Sequence, residues 1–149
     1  MTKFVSLITG GFDPVHSGHI QYIRDAANRG DILVIGLNSD DWLTRKKGQP
    51  FMPFSERKAV LEVIRGVDRV IEFDDSDGSA KDAILKTLDL YPQHTVLFCN
   101  GGDRTQENIP EMDIQSDRLR FVFGVGGNNK ANSSSWILKE WSQPTTHRA

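Results

Sequence analysis

Cysteine is almost absent from this sequence, with Cys99 the single one among 149 residues. One cysteine excludes an intrachain disulfide framework, and because Cys99 lies in an apolar run we expect a buried structural thiol rather than a nucleophile. No apolar run approaches the roughly 18 residues of a membrane span, so no membrane association is expected. The first apolar run is too short for a signal peptide and Gly10-Gly11 interrupts it, so we expect a cytoplasmic protein.

A basic excess is missing too. The chain carries 18 Lys and Arg against 20 Asp and Glu, a formal net charge of −2. Without a positive surface, no nucleic-acid partner is expected. There is no internal repeat and no low-complexity segment. The length fits one domain with a real core, which we assign to residues 1–142, followed by a polar tail at 143–149.

Apolar β-branched runs alternate with segments of helical spacing. The predicted strands are residues 4–9, 31–37, 69–73, 95–99 and 119–123. The predicted helices are residues 18–29, a short helix after 38–40, a helix from an N-cap at Ser55 to about residue 65, and helices at 80–90 and 133–141. This alternation predicts an α/β fold, a Rossmann-like three-layer sandwich with a five-stranded parallel sheet and right-handed crossovers.

Polar segments follow each predicted strand, where parallel α/β sheets bind ligands. They are residues 10–19, 38–47, 74–78, 100–107 and 124–135. The first has the sequence GGFDPVHSGH and leads from a strand into a helix. Its glycines allow a close backbone approach to an anion, and a helix start presents unpaired N–H groups. This location favours phosphate binding.

Two histidines stand three residues apart at this helix start. His16 and His19 can therefore face the same point, and both imidazoles can donate hydrogen bonds to a group that lies there. The alternative is that one of them only packs or caps the helix. No other His or Cys lies nearby to complete a zinc site, so no protein metal site is predicted.

This segment resembles the signature of the cytidylyltransferase-like nucleotidyltransferase superfamily, a His-x-Gly-His core preceded by Gly-x-Phe-Asp. Further matches occur in the same order and cover nearly the whole chain. They are Asn38-Ser39-Asp40 leading to Lys46-Lys47-Gly48, Ser55-Glu56-Arg57-Lys58, the loop Asn100-Gly101-Gly102-Asp103 and Ser133-Ser134-Ser135-Trp136-Ile137.

The resemblance implies a reaction. Such enzymes join a nucleoside triphosphate to a phosphorylated acceptor and release pyrophosphate, by in-line attack on the α-phosphorus without a covalent intermediate. Catalysis is then mostly positioning and electrostatic stabilisation. By resemblance, His16, His19 and Lys46 are the expected catalytic residues. Mg²⁺ is expected to accompany the triphosphate with few protein ligands.

The resemblance also implies binding residues. For the nucleotide they are Gly10, Gly11, Phe12, Asp13, Gly18, Gly102, Asp103, Ser133, Ser134 and Ser135. For Asp13 we favour bracing of the loop over handling of Mg²⁺. The serines open a helix, which suits them to the β- and γ-phosphates.

The expected acceptor-binding residues are Asp40, Lys47 and Arg57. Each has a structural alternative, since Asp40 could cap its helix, the lysines could belong to a solvated loop and Arg57 could lie on a helix surface. Lys46 is preferred over Lys47 for the phosphates by its spacing of eleven residues from Arg57.

The branch that the chain most resembles is heptose-1-phosphate adenylyltransferase, in which ATP gives AMP to a sugar 1-phosphate. Transfer of CMP from CTP to glycerol 3-phosphate is the first alternative, although Asn128 stands near where some cytidylyltransferases have Arg. Adenylylation of nicotinamide or nicotinate mononucleotide and a non-catalytic nucleotide-binding module are further alternatives. A homodimer is compatible with the resemblance, because family members often dimerise.

Overall fold

The computed structural model describes residues 3–102, 104–127 and 134–142. Its strands are β1 Lys3–Gly10, β2 Ile32–Leu37, β3 Arg69–Glu72, β4 His94–Cys99 and β5 Leu119–Val122. Its helices are α1 Ser17–Arg29, α2 Asp40–Lys47, α3 Phe54–Glu62, α4 Lys81–Leu90 and α5 Ser134–Ser142, with a 3₁₀ turn at Pro110–Asp113. In the described ranges, no helix is both long and apolar enough to cross a membrane.

The five strands form one parallel sheet in the order β3-β2-β1-β4-β5. Because the chain winds outward from β1 in one direction and then resumes on its other side with β4, the switch point lies between these two strands. In sheets of this kind the crevice at that point is the usual ligand site. The predicted α/β fold with a five-stranded parallel sheet is confirmed.

Successive strand residues point to opposite sides of the sheet, and an apolar core covers each side. On one face, Val5 and Leu7 pack in a core with Ile84 of α4. On the other, Ile8 packs in a second core with Ile23 of α1. Full burial of each such side chain contributes about 1.5–3 kcal/mol, so the two cores fix the three layers on which the loops stand.

The start of α3 differs from the prediction. Ser55 is not the N-cap, because the helix begins at Phe54 and is preceded by Pro53, which offers no side-chain hydrogen bond. Instead, the Pro53 carbonyl accepts hydrogen bonds from the N–H groups of Glu56 and Arg57 at 3.0 and 3.1 Å. The helix also ends at Glu62, earlier than residue 65, and the 3₁₀ turn had not been predicted.

Candidate active site

The histidines lie where β1 passes into α1, and they cap that helix reciprocally. His16 is the N-cap, and its Nδ1 accepts a hydrogen bond from the Gly18 N–H at 3.0 Å. The Nδ1 of His19 accepts from the His16 N–H at 3.2 Å. Two of the N–H groups at the helix start, which need partners outside the helix, are thus satisfied by imidazole nitrogens.

This capping sets the tautomer of both rings. A ring nitrogen that accepts a hydrogen bond carries no proton, so in the neutral imidazole the proton is on the other nitrogen. His16 and His19 are therefore Nε2–H tautomers when neutral, and each ring directs a donor away from the helix backbone. The rings stack, with centroids 3.9 Å apart and an interplanar angle of 22°.

His19 is held neutral by its surroundings. Burial and, to a smaller extent, the neighbouring His16 together lower its pKa from 6.5 to about 3. Phe12 contributes to this burial, since its ring centroid lies 4.7 Å from that of His19. At neutral pH, His19 is thus a hydrogen-bond donor through Nε2 and carries no charge.

The glycines before the histidines allow close packing. A Cβ at Gly10 would lie 3.1 Å from the Phe12 ring, and one at Gly11 would lie 2.8 Å from the Leu43 side chain of α2. Phe12 itself adopts a positive φ of 48° and is 3% exposed. The Phe12 ring therefore packs between Gly10 and the His19 ring and supports the loop from its buried side. The N–H of Gly18 donates to the Nδ1 of His16, and the expected role of Gly18 in nucleotide binding stays a prediction.

Asp13 is buried and braces the loop that precedes α3. Its carboxylate accepts hydrogen bonds from the N–H groups of Phe51 and Met52 at 2.6 and 2.7 Å. Lys47 forms an ion pair with it at 2.8 Å and also donates to the Asp13 carbonyl. The geometry agrees with bracing rather than Mg²⁺ handling. Lys47 is engaged by Asp13, and its expected contact with the acceptor stays a prediction.

Arg57 lies at the centre of a second set of contacts and is fully buried. Its guanidinium donates to the carbonyls of Met52, Gly11 and Asn38 at 2.8–2.9 Å. It also pairs with Asp40 at 2.7 Å. With no exposed surface, Arg57 reaches no ligand in this arrangement. It is a positioning residue, which differs from the acceptor contact expected from the resemblance, and it ties β1, β2 and the loop before α3 together.

A third anchor, Asp75, was missed by the sequence analysis. This buried carboxylate accepts hydrogen bonds from the Asn38 side chain at 2.9 Å and from the Ser39 N–H and hydroxyl at 2.8 and 2.7 Å. Ser39 in turn caps α2 through the Trp42 N–H, and Arg45 donates to the Asp75 carbonyl. Nothing in its polar loop distinguished Asp75 from its neighbours Asp74 and Asp77.

Lys46 lies on the exposed side of α2. Its Nζ lies 4.6 Å from the centroid of the Trp42 ring, a cation–π contact of the ordinary kind. Trp42 packs near Gly11, since a Cβ on that glycine would lie 3.4 Å from its ring. The predicted role of Lys46 on the phosphates stays a prediction.

The far side of the crevice is built by the segments after β4 and β5. The Tyr22 hydroxyl of α1 donates to the Cys99 carbonyl at 2.8 Å, and the Gly126 N–H donates to Asp25 at 2.7 Å. Cys99 is buried, and this burial raises the pKa of its thiol to about 11, as expected for a structural cysteine. Helix α1 therefore holds both the histidine loop and the loop at residues 124–127.

The remaining nucleotide-binding predictions fall at the edge of the described residues. Gly102 has a positive φ of 64°, whereas Asp103 and Ser133 lie outside the described ranges. Ser134 and Ser135 form the start of α5, but their side chains are not described. Their assignment to phosphate binding stays a prediction.

The fold and the site together define a class, an α/β protein with a ligand crevice at the carboxyl ends of parallel strands and two histidines at the helix start beside it. The chain belongs to the cytidylyltransferase-like family, whose model matches residues 7–124.

Curated relatives agree with this assignment. The bifunctional protein HldE of Syntrophotalea carbinolica is 33% identical over 147 residues, covering 95% of this chain and 28% of the relative. HldE of Geotalea uraniireducens is 35% identical over 136 residues, covering 87% of this chain and 26% of the relative. The chain thus spans little more than a quarter of the length of these relatives.

Among solved structures, the lipopolysaccharide core biosynthesis protein from Thermoplasma volcanium superposes with a TM-score of 0.61 at 24% identity. The match covers 81% of this chain and 95% of that one. At this identity the likeness concerns the fold.

Proposed function

We propose that this chain transfers AMP from ATP to a phosphorylated sugar, with release of pyrophosphate. The observation that carries the proposal is the reciprocal capping of α1, which fixes His16 and His19 as Nε2–H donors. The choice of ATP and of a sugar 1-phosphate rests on the motifs of the heptose-1-phosphate adenylyltransferase branch, and the similarity to HldE proteins supports it.

In the proposed reaction, an oxygen of the acceptor phosphate attacks the α-phosphorus of ATP. A new P–O bond forms as the bond from the α-phosphorus to the bridging oxygen breaks, and pyrophosphate leaves with that electron pair. Negative charge develops on the non-bridging oxygens. Two preorganised N–H donors stabilise that charge more strongly than water does, because they need no reorganisation at the moment of reaction.

Mg²⁺ fits this site as a companion of the triphosphate. It prefers phosphate oxygens and water, with one or two carboxylates. In the described residues no group of three or more His, Cys, Asp or Glu could hold a metal ion, and the Asp13 carboxylate is already occupied by two N–H groups and Lys47. When bound through the phosphates, the ion would neutralise their charge.

A substrate panel tests the proposal. Pyrophosphate release is measured with ATP, CTP, GTP and UTP, each against heptose 1-phosphate, glycerol 3-phosphate and nicotinamide mononucleotide. We expect the highest kcat/KM for ATP with the sugar phosphate, and a thermal shift with ATP, since a ligand of the folded state raises its apparent stability.

Three outcomes contradict the proposal. Preference for ATP with nicotinamide mononucleotide assigns the chain to the mononucleotide adenylyltransferase alternative. Preference for CTP with glycerol 3-phosphate assigns the chain to the cytidylyltransferase alternative. Nucleotide binding with no turnover above a His16→Ala, His19→Ala control makes it a non-catalytic binding module.

A further inference from the structure

A cavity of about 240 Å³ lies at the carboxyl ends of β2 and β3, on the opposite side of β1 from the switch point. It is open to solvent on one side and is bordered by the start of α2, the start of α3 and the last residues of the two strands. Its lining residues are Leu37, Ser39, Asp40, Phe54, Glu72 and Phe73. Small-molecule sites combine apolar walls with a few polar groups in this way, and the volume suits one small ring.

The polar groups of this cavity are hydrogen-bond acceptors. The hydroxyl of Ser39 has no donor left for a ligand, since it donates to Asp75, and it already accepts one hydrogen bond from Trp42. This leaves the carboxylates of Asp40 and Glu72, which when ionised can only accept. A ligand here must therefore bring O–H or N–H donors to the carboxylates and an apolar face to the walls.

The two carboxylates differ in their partners. Arg57 donates to one oxygen of Asp40 and offsets its charge, although the side chain is still 43% exposed. Glu72 is exposed, and within the described part of the chain its carboxylate takes no hydrogen bond or ion pair; Lys86 contacts only its carbonyl. An uncompensated negative charge repels a phosphate group, so the cavity suits the uncharged part of an acceptor.

We propose that Glu72 determines acceptor specificity by accepting hydrogen bonds from the hydroxyls of a sugar ring whose C–H face packs on Phe54 and Phe73. This inference rests on the proposed function, because it takes the acceptor to be a phosphorylated sugar. The phosphate of that acceptor extends towards the histidine loop. Arg57 links the cavity to this loop, since it contacts both Asp40 and the Gly11 carbonyl.

Steady-state kinetics of Glu72→Ala test the inference, with Glu62→Ala as the matched control. Glu62 is exposed at the end of α3 and does not line the cavity. We expect the KM for the sugar phosphate to rise about tenfold or more on loss of hydrogen bonds to a charged group. The values of kcat and of the KM for ATP stay within about twofold, and Glu62→Ala behaves as the unmodified protein does.

Glu72→Gln provides the conservative variant and covers the case in which the alanine variant does not fold. Its amide oxygen still accepts a hydrogen bond, so an intermediate KM is expected. The preference for the sugar phosphate over glycerol 3-phosphate falls in the same order as the KM rises. An unchanged KM in both variants, or a loss in kcat alone, would overturn the proposal.

A binding experiment separates this inference from the proposed function. Free mannose is titrated into the isotope-labelled protein, and the amide signals of Ser39, Glu72 and Phe73 are followed by NMR. Shifts in the unmodified protein that disappear in Glu72→Ala support the sugar site even if the substrate panel gives no turnover. Absence of shifts in the unmodified protein overturns the site. Turnover with the same KM for the sugar phosphate in the unmodified protein and in the Glu72 variants supports the proposed function and refutes the inference.

Discussion

At the scale of single residues, His16 and His19 combine a structural and a chemical role on opposite nitrogens of the same ring. The Nδ1 atoms cap α1, and the Nε2 atoms carry the protons that we assign to catalysis. Asparagine can separate the two roles. Its side-chain oxygen occupies about the position of Nδ1 and is an effective N-cap, but no group replaces Nε2–H.

Substitution of His16 tests the capping role. We expect His16→Ala to lower the free energy of unfolding by about 1 kcal/mol, the usual consequence of losing a capping side chain. His16→Asn retains the hydrogen bond to the Gly18 N–H and should lie within a few tenths of a kcal/mol of the unmodified protein. Urea unfolding measures both, and equal losses in the two variants would refute the capping role.

The lowered pKa of His19 predicts a pH dependence of stability. Its pKa is 6.5 when unfolded and about 3 when folded, so between these values the unfolded state binds more protons. The contribution of His19 to the free energy of unfolding is therefore fully present above pH 6.5 and is lost as the pH falls towards 3. The free energy of unfolding then decreases by up to about 1.4 kcal/mol per pH unit.

Comparison with His19→Asn separates the contribution of His19 from that of the carboxylates, because the carboxylates titrate in both proteins. The difference in unfolding free energy between the unmodified protein and His19→Asn should fall steadily from pH 6.5 downwards. Parallel stability curves over that range would show that His19 is not held neutral.

At the scale of elements, α2 and the loop before α3 are held by polar anchors more than by apolar packing. Helix α2 has a single buried residue, Leu43. Arg57 and Asp75 supply the remaining fixed contacts, through Asp40 and Ser39 at the start of the helix. The position of α2 over the histidine loop thus depends on two buried charges.

Arg57→Lys tests this dependence, because it keeps the charge and loses the planar fork of donors. We expect a loss of about 2 kcal/mol or more in unfolding free energy. Amide exchange should become faster in residues 40–47 and 50–53, with little change in α4. Arg65→Lys, at an exposed position, is the control. A loss no larger than in Arg65→Lys would contradict the positioning role.

At the scale of the whole molecule, the fold could be predicted because apolar β-branched runs alternate along the sequence with segments of helical spacing, as strands and helices do in a parallel α/β sheet. The polar segments that follow the strands lie at one edge of the sheet because all five strands are parallel, and the assignment of the site to this edge stays a prediction. The anchors could not be found in this way. Arg57 joins carbonyls 46 and 19 residues away, and a hydrogen bond to a backbone carbonyl leaves no pattern in the sequence. The domain bounds and the homodimer stay predictions.

The central claim is that the Nε2–H groups of His16 and His19 stabilise the charge that develops at the α-phosphate during AMP transfer. Turnover by the double variant His16→Asn, His19→Asn tests it most directly. Pyrophosphate release from ATP and heptose 1-phosphate is measured for this variant and for the unmodified protein. The midpoint of urea unfolding verifies that the variant is folded. Since loss of one such donor lowers kcat by roughly 10²–10³, we expect a decrease of at least that size. Turnover within about tenfold of the unmodified protein would contradict the account.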